Sequence, residues 1–280
     1  MASSGALRRF GGELKRFREE AGYKQTELGA AVNRSQATIN SWEQGRTKPS
    51  LNDLDVLVTV LELSPKEIAH LKKLRADAAG ASPWATYGIG ESLRPFVSLE
   101  DEATRVTTCQ QVLMPGLLQV ADYVRALHAG FPPVEIETQV KVRLRRQRRL
   151  SGFNPLKLHA VIAESVLEQD VGGPNVSLRQ LDSLVTLAQR ENITLQVVPK
   201  SRIAHLALAG SFAMLHFADS KIDPPVAFFD TPLGGNMATS QRDVEFLAGR
   251  FIDVADMAAT PEETFKFLEK ALSRFKKEAS

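Results

Sequence analysis

The sequence predicts an α+β protein in which an all-α N-terminal domain precedes a mixed α/β domain. Up to residue 78, apolar residues recur at helical spacing in five short segments. From Leu156 onward, short apolar and β-branched runs alternate with helical segments, which is typical of a mixed sheet with helices on at least one face. A stretch rich in small residues separates the two regions. We therefore expect domains at residues 1–78 and 92–280, joined by a linker at 79–91.

Composition places the chain among ordinary globular proteins. Its 280 residues are 43% hydrophobic and 24% charged, which is enough to bury a sizeable core. The single Cys109 excludes an intramolecular disulfide and is expected to be a small buried hydrophobe. No apolar run approaches the ~20 residues that span a membrane. The N-terminal residues lack the apolar core of a signal peptide, so we expect a cytoplasmic protein with no membrane partner.

The charge is distributed unevenly along the chain. Residues 1–80 carry 13 Lys and Arg against 10 Asp and Glu, a net charge of +3, whereas the remainder carries 22 against 23, a net charge of −1. A phosphate-binding surface requires such an excess of positive charge. The distribution therefore favours a nucleic-acid partner for the N-terminal region.

Residues 24–50 predict two short helices joined by a tight turn. The first helix opens at Lys24 and Gln25, and its apolar residues Leu28 and Val32 lie four positions apart on one face. Asn33 tolerates the left-handed conformation that a sharp turn needs. A helix, a short turn and a second helix are the layout of a DNA-binding unit.

The second helix of this pair has one apolar and one polar face. Ser35 is suited to cap its first turn, and Gly45 is suited to end it. A basic loop with Arg46 and Lys48 follows. The residues expected to face the core are Ile39, Trp42 and either Ala37 or Thr38, and those expected on the other side are Gln36, Thr38, Asn40 and Ser41.

Three further helices complete the N-terminal domain in this prediction. A helix over Gly11–Ala21 precedes the pair and ends at Gly22. Ser50 is suited to cap a fourth helix and Ser64 a fifth, in which Pro65 takes the first helical position. The apolar stripes expected to face the core are Leu14 and Phe17 in the first helix, Leu51, Leu54, Leu57, Val58 and Leu61 in the fourth, and Ile68, Leu71 and Leu74 in the fifth.

This region resembles the helix-turn-helix of the XRE family, the lambda-type repressors. The positions that match the family pattern are Arg18, Gly22, Gln25, Leu28, Gly29, Ser35, Ile39, Trp42, Glu43, Gly45 and Pro49. The resemblance implies a partly buried ion pair between Arg18 and Glu43, and an unpaired charge at that contact would be costly. Gly29 stands where alanine is commoner, which costs some helix propensity.

The resemblance also implies how such a unit binds double-stranded DNA. Gln25 would contact a phosphate, and Gln36 would pair with a base edge, because its amide matches the edge of adenine. Secondary contacts are expected from Ser35, Thr38, Asn40 and Ser41, and backbone contacts from Arg34, Arg46 and Lys48. Since one small domain offers limited specificity, we expect a homodimer on a pseudo-palindromic operator.

The second half predicts helices and strands in alternation. A strand or helix over Ala103–Val112 is followed by helical spacing from Leu117 to Gly130, and Pro133–Leu150 predicts a long amphipathic helix with Val140 and Leu144 on one face. The pairs Gly172-Gly173 and Gly234-Gly235 are interpreted as turns. Further strands are expected at 156–165, 193–199, 211–217 and 226–230, and further helices at 176–190, 241–256 and 261–277.

Five segments of this half resemble the C-terminal domain of formerly unknown function that accompanies XRE readers in actinomycete regulators. They are MPGLLQVADYVRAL, VRLRRQRRL, AESVLEQDVGG with QLDSL, NITLQVVP and GSFAMLHF, and the resemblance covers Leu93 to about Leu272. In such bacteria these regulators often stand beside a small partner protein. The resemblance therefore implies that the second domain binds a small protein encoded by a neighbouring gene.

The sequence contains no recognisable catalytic, metal or cofactor motif, so we expect neither catalytic residues nor a metal or cofactor. Glu164 ends an apolar strand and needs a partner, for which Arg146 would serve, and His205 lies in a loop between strands. These three residues are the candidates for a ligand or partner site in the second domain.

The basic run within Val140–Leu150 leaves several interpretations open: a solvated face, a structural role beside carboxylates, a second contact to DNA or an anion site. We expect a transcriptional regulator, and specifically a repressor. Two alternative functions also remain possible on the sequence. One is an interaction module that no longer binds DNA, and the other is a small-molecule sensor or enzyme in the second domain.

Overall fold

A computed structural model of the chain describes residues 4–78, 84, 87, 89, 93–204, 209–220, 223–231 and 234–279. It divides into two compact units. The N-terminal unit comprises residues 1–86 and 218–224, and the C-terminal unit comprises residues 87–217 and 225–280. The α+β fold class is confirmed, with helices alone up to residue 77 and a mixed sheet with helices beyond.

The N-terminal unit is built on five helices within residues 4–77. They are α1 (Ser4–Glu20), α2 (Gln25–Ala31), α3 (Gln36–Glu43), α4 (Leu51–Val60) and α5 (Pro65–Asp77). Their caps form as the sequence predicts, because the hydroxyls of Ser35, Ser50 and Ser64 each accept a backbone N–H from the first turn of the following helix. Asn33 and Gly45 have φ of +54° and +64° and so make the predicted sharp turns.

The predicted start of α1 is wrong, because the helix begins at Ser4 rather than Gly11. Phe10 and Ala6 are buried one and two turns upstream of Leu14, and this packing keeps the chain helical through two glycines. A close contact with α3 explains why residue 11 is a glycine. A Cβ there would lie 2.4 Å from the Glu43 carbonyl oxygen, so glycine permits the close approach of α1 to the end of α3.

The core of this unit is formed by the predicted apolar stripes, with two exceptions. Leu51, at the first position of α4, is 60% exposed, and Ala37 is exposed as well. The packed residues are Phe10, Leu14, Phe17, Leu28, Val32, Ile39, Trp42, Leu54, Leu57, Val58, Leu61, Leu71 and Leu74.

The C-terminal unit alternates helices and strands. Its helices are α6 (Arg94–Glu102), α7 (Ala121–Leu127), α8 (Pro133–Gln147), α9 (Glu164–Glu168), α10 (Pro174–Ala188), α11 (Gln241–Met257) and α12 (Pro261–Glu278). Its strands are β1 (Arg105–Gln110), β2 (Lys157–Ala163), β3 (Ile193–Val198), β4 (Phe212–His216), β5 (Val226–Thr231) and β6 (Gly234–Ala238). Short 3₁₀ turns occur at Gly116–Leu118, Arg148–Leu150 and Lys200–Arg202.

The described strands form one mixed sheet in the order β3-β2-β1-β4-β5-β6. The pairs β1–β2 and β2–β3 are parallel, and the pairs from β1–β4 to β5–β6 are antiparallel. Strand β1 is therefore central, and its residues Val106 to Cys109 are buried.

Three predictions for this half are corrected. Gly234 and Gly235 are not a turn but open β6, where they pair with Thr231 and Asp230 of β5. The helix predicted from Leu117 breaks around Val120, since Gln180 bonds both the Leu118 carbonyl and the Val120 N–H.

The predicted long helix α8 ends at Gln147, and Leu144 is 44% exposed instead of facing the core. The buried residues of α8 are Val140, Val142 and Arg146. The turn predicted at Gly172-Gly173 is confirmed by φ values of +81° and +91°.

Cys109 lies at the centre of the sheet and is fully buried. Burial raises the pKa of its thiol to about 12. Because the thiolate is the reactive species, the native thiol is expected to resist alkylation at neutral pH. As the only cysteine in the chain, it can report the opening of the C-terminal unit.

Candidate nucleic-acid interface

The second and third helices meet through a close turn. Arg34 N–H donates to the Gly29 carbonyl over 2.8 Å, and a Cβ on Gly29 would lie 2.8 Å from the Arg34 carbonyl oxygen. The glycine that departs from the family pattern therefore has a packing role here. Ile39 and Trp42 are buried, which leaves the opposite face of α3 at the surface.

The polar residues predicted to contact DNA lie at or near this surface. Ser35, Gln36, Arg46 and Lys48 are exposed, whereas Thr38, Asn40 and Ser41 are partly exposed. Internal hydrogen bonds organise several of them. Ser35 Oγ caps Thr38, Asn40 accepts from Gln44, and the hydroxyls of Ser41 and Thr47 lie 2.8 Å apart.

A buried ion pair supports α3 from behind. Arg18 Nε donates to Glu43 Oε1 over 2.6 Å and Arg18 Nη2 donates to Glu43 Oε2 over 3.1 Å. The side chain of Arg18 is 8% exposed and that of Glu43 is 2% exposed. The predicted pair is therefore confirmed, and it is almost inaccessible to water. The hydrogen bonds to Glu43 also raise the pKa of Arg18.

A hydrogen bond from Gln25 connects the carboxylate of Glu43 to the protein surface. Gln25 Nε2 donates to Glu43 Oε2 over 2.8 Å, and Gln36 Nε2 lies 3.5 Å from Gln25 Oε1. The four side chains of Arg18, Glu43, Gln25 and Gln36 form a continuous series, which we call the Glu43 network. The network restrains the amide predicted to read a base, and one proton of the Gln25 amide is used within the protein.

Arg34 has a partner that the sequence analysis missed. Its Nη2 lies 2.7 Å from Asp53 Oδ1, in the first turn of α4. Burial opposes the charged form of Asp53, yet hydrogen bonds from Ser50 and the charge of Arg34 hold its pKa below the usual value. A DNA phosphate would have to compete with this carboxylate for Arg34. Within the part of the chain that the structure describes, Arg46 and Lys48 form no ion pair.

Of the three candidate residues of the C-terminal unit, the two that the structure describes do not pair with each other. Arg146 is buried and pairs with Glu100, not with Glu164, through bonds of 2.6 and 2.7 Å. Glu164 instead accepts from the Lys200 N–H at 3.0 Å and from Lys270 Nζ at 3.2 Å. His205 lies outside the described residues.

Glu164 is held in its charged form by these partners. Burial alone would raise its pKa, but the Lys200 backbone and Lys270 together lower it. The prediction failed because both Glu100 and Glu164 end apolar segments, and only the tertiary fold decides which one meets Arg146. No signal in the local sequence distinguishes them.

Every helix in the described ranges is too short or too polar to span a lipid bilayer.

Comparison with protein families assigns both regions of the chain. Residues 9–71 match a helix-turn-helix domain, and residues 93–270 match a domain of unknown function, DUF5753. No curated protein and no solved structure matches the chain. A helix-turn-helix domain followed by this domain is consistent with an XRE-type regulator, as the resemblance predicts, and it indicates a DNA-binding protein. The chain belongs to the DUF5753 family and carries a helix-turn-helix domain at its N-terminal end.

Proposed function

We propose that this protein is a sequence-specific transcriptional regulator that binds DNA through α3 and receives a signal through its C-terminal unit. The observation that supports the proposal is the Glu43 network, which connects a buried ion pair to Gln36 on the exposed face of α3. A base-reading amide needs such support, because a side chain that is already ordered loses less entropy on binding.

Two basic side chains that form no ion pair with a described residue lie near that face. Arg46 and Lys48 follow α3 directly and are exposed, which suits contacts to the DNA backbone. We further propose a homodimer on a pseudo-palindrome, with half-sites ~34 Å apart, one turn of the duplex. The signal comes from a small protein encoded by a neighbouring gene, as the resemblance of residues 93–272 implies, or, alternatively, from a small ligand.

Gln36→Ala is expected to weaken specific binding by about 1–3 kcal/mol and to relax the preference at one base pair. The reason is the loss of a bidentate pairing with one base edge. Competition binding against single-base variants of a selected site measures this, and Gln189→Ala, an exposed amide at the end of α10, is the matched control. An unchanged preference in Gln36→Ala would show that another element reads the bases.

Lys48→Ala is expected to weaken binding to all sequences alike and to lower the slope of log K against log salt by about one unit. A lysine that contacts phosphate releases a counterion on binding but carries no sequence information. Affinities measured over a salt series test this, with Lys73→Ala on the exposed face of α5 as the control. Equal slopes for Lys48→Ala and the wild type would remove Lys48 from the interface.

A further inference from the structure

Arg143 on α8 is a partly buried guanidinium without a partner of its own. Among the described residues, none forms a hydrogen bond or an ion pair with it, and its Nε is buried without an acceptor. The side chain lies one turn before Arg146 on the same helix. Two positive charges are therefore brought together on one face of α8.

The nearest carboxylate is already occupied. Both oxygens of Glu100 accept hydrogen bonds from Arg146, and both side chains are nearly inaccessible, at 3% and 6% exposure. The guanidinium of Arg146 also lies over the ring of Phe96, 5.5 Å from its centroid. Arg146 and Glu100 thus neutralise each other, and the charge of Arg143 remains.

Asp230 is the other acid close enough to act on this pair of arginines. It favours the charged forms of Arg143 and Arg146 electrostatically, but no ion pair joins it to either of them. Asp230 is also exposed, so water weakens its influence. This arrangement leaves a positive charge on Arg143 that no described acidic side chain compensates by direct contact.

Gly116 lies against the two guanidinium groups. A Cβ built on Gly116 would lie 2.4 Å from Arg143 Nη1 and 3.3 Å from Arg146 Nη1. Glycine therefore lets the backbone approach both guanidinium groups closely. No hydrogen bond joins Arg143 to the described part of this backbone, so the contact leaves its N–H donors unused.

An unpaired arginine in this position is costly to the free protein. Burial, with the neighbouring charge of Arg146, lowers the pKa of Arg143 to about 9. An anion beside the guanidinium would raise the pKa of Arg143 again, because it supplies an opposite charge and accepts hydrogen bonds from the N–H groups of Arg143. Guanidinium groups bind carboxylate and phosphate through paired parallel hydrogen bonds.

We propose that Arg143, with Arg146 and Gly116 beside it, binds the oxyanion of a small molecule, a carboxylate or a phosphate group. The inference deepens the proposed function and rests on it only for the role of this ligand as the signal. Binding itself is independent of DNA. The proposed occupant is a small acid, and an acidic segment of a protein partner would be a different proposal.

The test is titration calorimetry of the full chain with inorganic phosphate and, separately, with succinate, at fixed ionic strength in chloride. We expect one saturable site per chain for at least one of the two anions, and the stronger one identifies the chemical class. Saturation at tenfold the Kd should also raise the Tm of the C-terminal unit by about 3–5 °C.

Arg143→Met is expected to abolish the heat of binding and the rise in Tm. Its Tm in chloride alone should equal or exceed that of the wild type, because an uncompensated charge has been removed. Arg148→Met removes an exposed arginine from the 3₁₀ turn after the same helix and should keep the full response. Arg143→Lys keeps the charge without the fork and should bind at least tenfold more weakly.

No binding of either anion, or equal binding by wild type and Arg143→Met, would overturn the inference. DNA binding measured on the same samples separates this failure from that of the proposed function. A protein that binds DNA selectively but neither anion refutes the anion site alone. A protein that binds an anion through Arg143 but no DNA refutes the proposed regulator alone.

Discussion

Glu43→Gln is expected to destabilise the N-terminal unit by about 3–5 kcal/mol, because it leaves the charge of Arg18 buried without a counterion. The substitution keeps the shape of the side chain while it removes the charge from a contact that is 2% exposed. Both tryptophans of the chain, Trp42 and Trp84, belong to this unit, so their fluorescence during urea unfolding reports its stability selectively.

Glu19→Gln is the matched control for this experiment. Glu19 also contacts Arg18, at 3.3 Å, but its side chain is 55% exposed. Exposed ion pairs contribute little, so the control should cost less than about 1 kcal/mol. Equal losses in the two variants would mean that the buried pair does not stabilise the helix-turn-helix as we describe.

Glu100→Gln is expected to have a similar effect, about 3–5 kcal/mol, on the C-terminal unit. It would leave the buried guanidinium of Arg146 without its carboxylate, next to the charge of Arg143. Alkylation of Cys109 measures the opening of this unit, since the thiol is buried and unique. Under native conditions its labelling should accelerate by two orders of magnitude or more, about tenfold for each 1.4 kcal/mol.

Glu137→Gln provides the comparison on the surface of the same unit. Glu137 pairs with Arg125 at 2.8 Å, and both side chains are about half exposed. In Glu137→Gln, the rate at which Cys109 is alkylated should stay within about fivefold of the wild-type rate. If Cys109 were alkylated no faster in Glu100→Gln than in this control, the charge of Arg146 would have to be compensated by a group other than Glu100.

Local features of the fold could be predicted because local chemistry decides them. Ser35, Ser50 and Ser64 satisfy backbone groups within their own first turns, and this depends on the neighbouring residues alone. Asn33 and Gly45 supply the left-handed conformations at the ends of α2 and α3 in the same way. Most of the predicted helices and strands therefore agree with the structure.

Features that depend on distant parts of the chain could not be predicted. Gly11 discourages a helix in isolation, but α1 continues through it because Ala6 and Phe10 are buried further upstream. The approach of the end of α3 explains why the residue is glycine. Gly234 and Gly235 resemble a turn, yet they form β6 because β5 offers an open edge. In each case a tertiary contact outweighs the local propensity.

The sites follow the same division. The pair of Arg18 and Glu43 was available from the resemblance, because a pattern of matched positions carries tertiary information. The partner of Arg146 was not available, since Glu100 precedes it by 46 residues and Glu164 was an equally good candidate on sequence. On the sequence, Arg143 is only one member of a basic run. That its Nε is buried without a hydrogen-bond acceptor depends on the three-dimensional structure.

Selection of genomic DNA fragments by the full chain at physiological salt would establish whether the protein is a sequence-specific regulator. Wild type and Gln36→Ala are compared, with and without the small protein encoded nearest to the gene. We expect wild type to enrich fragments that share a pseudo-palindromic site, Gln36→Ala to lose that preference, and the neighbouring protein to change the enrichment. No enrichment by wild type under either condition would contradict the account.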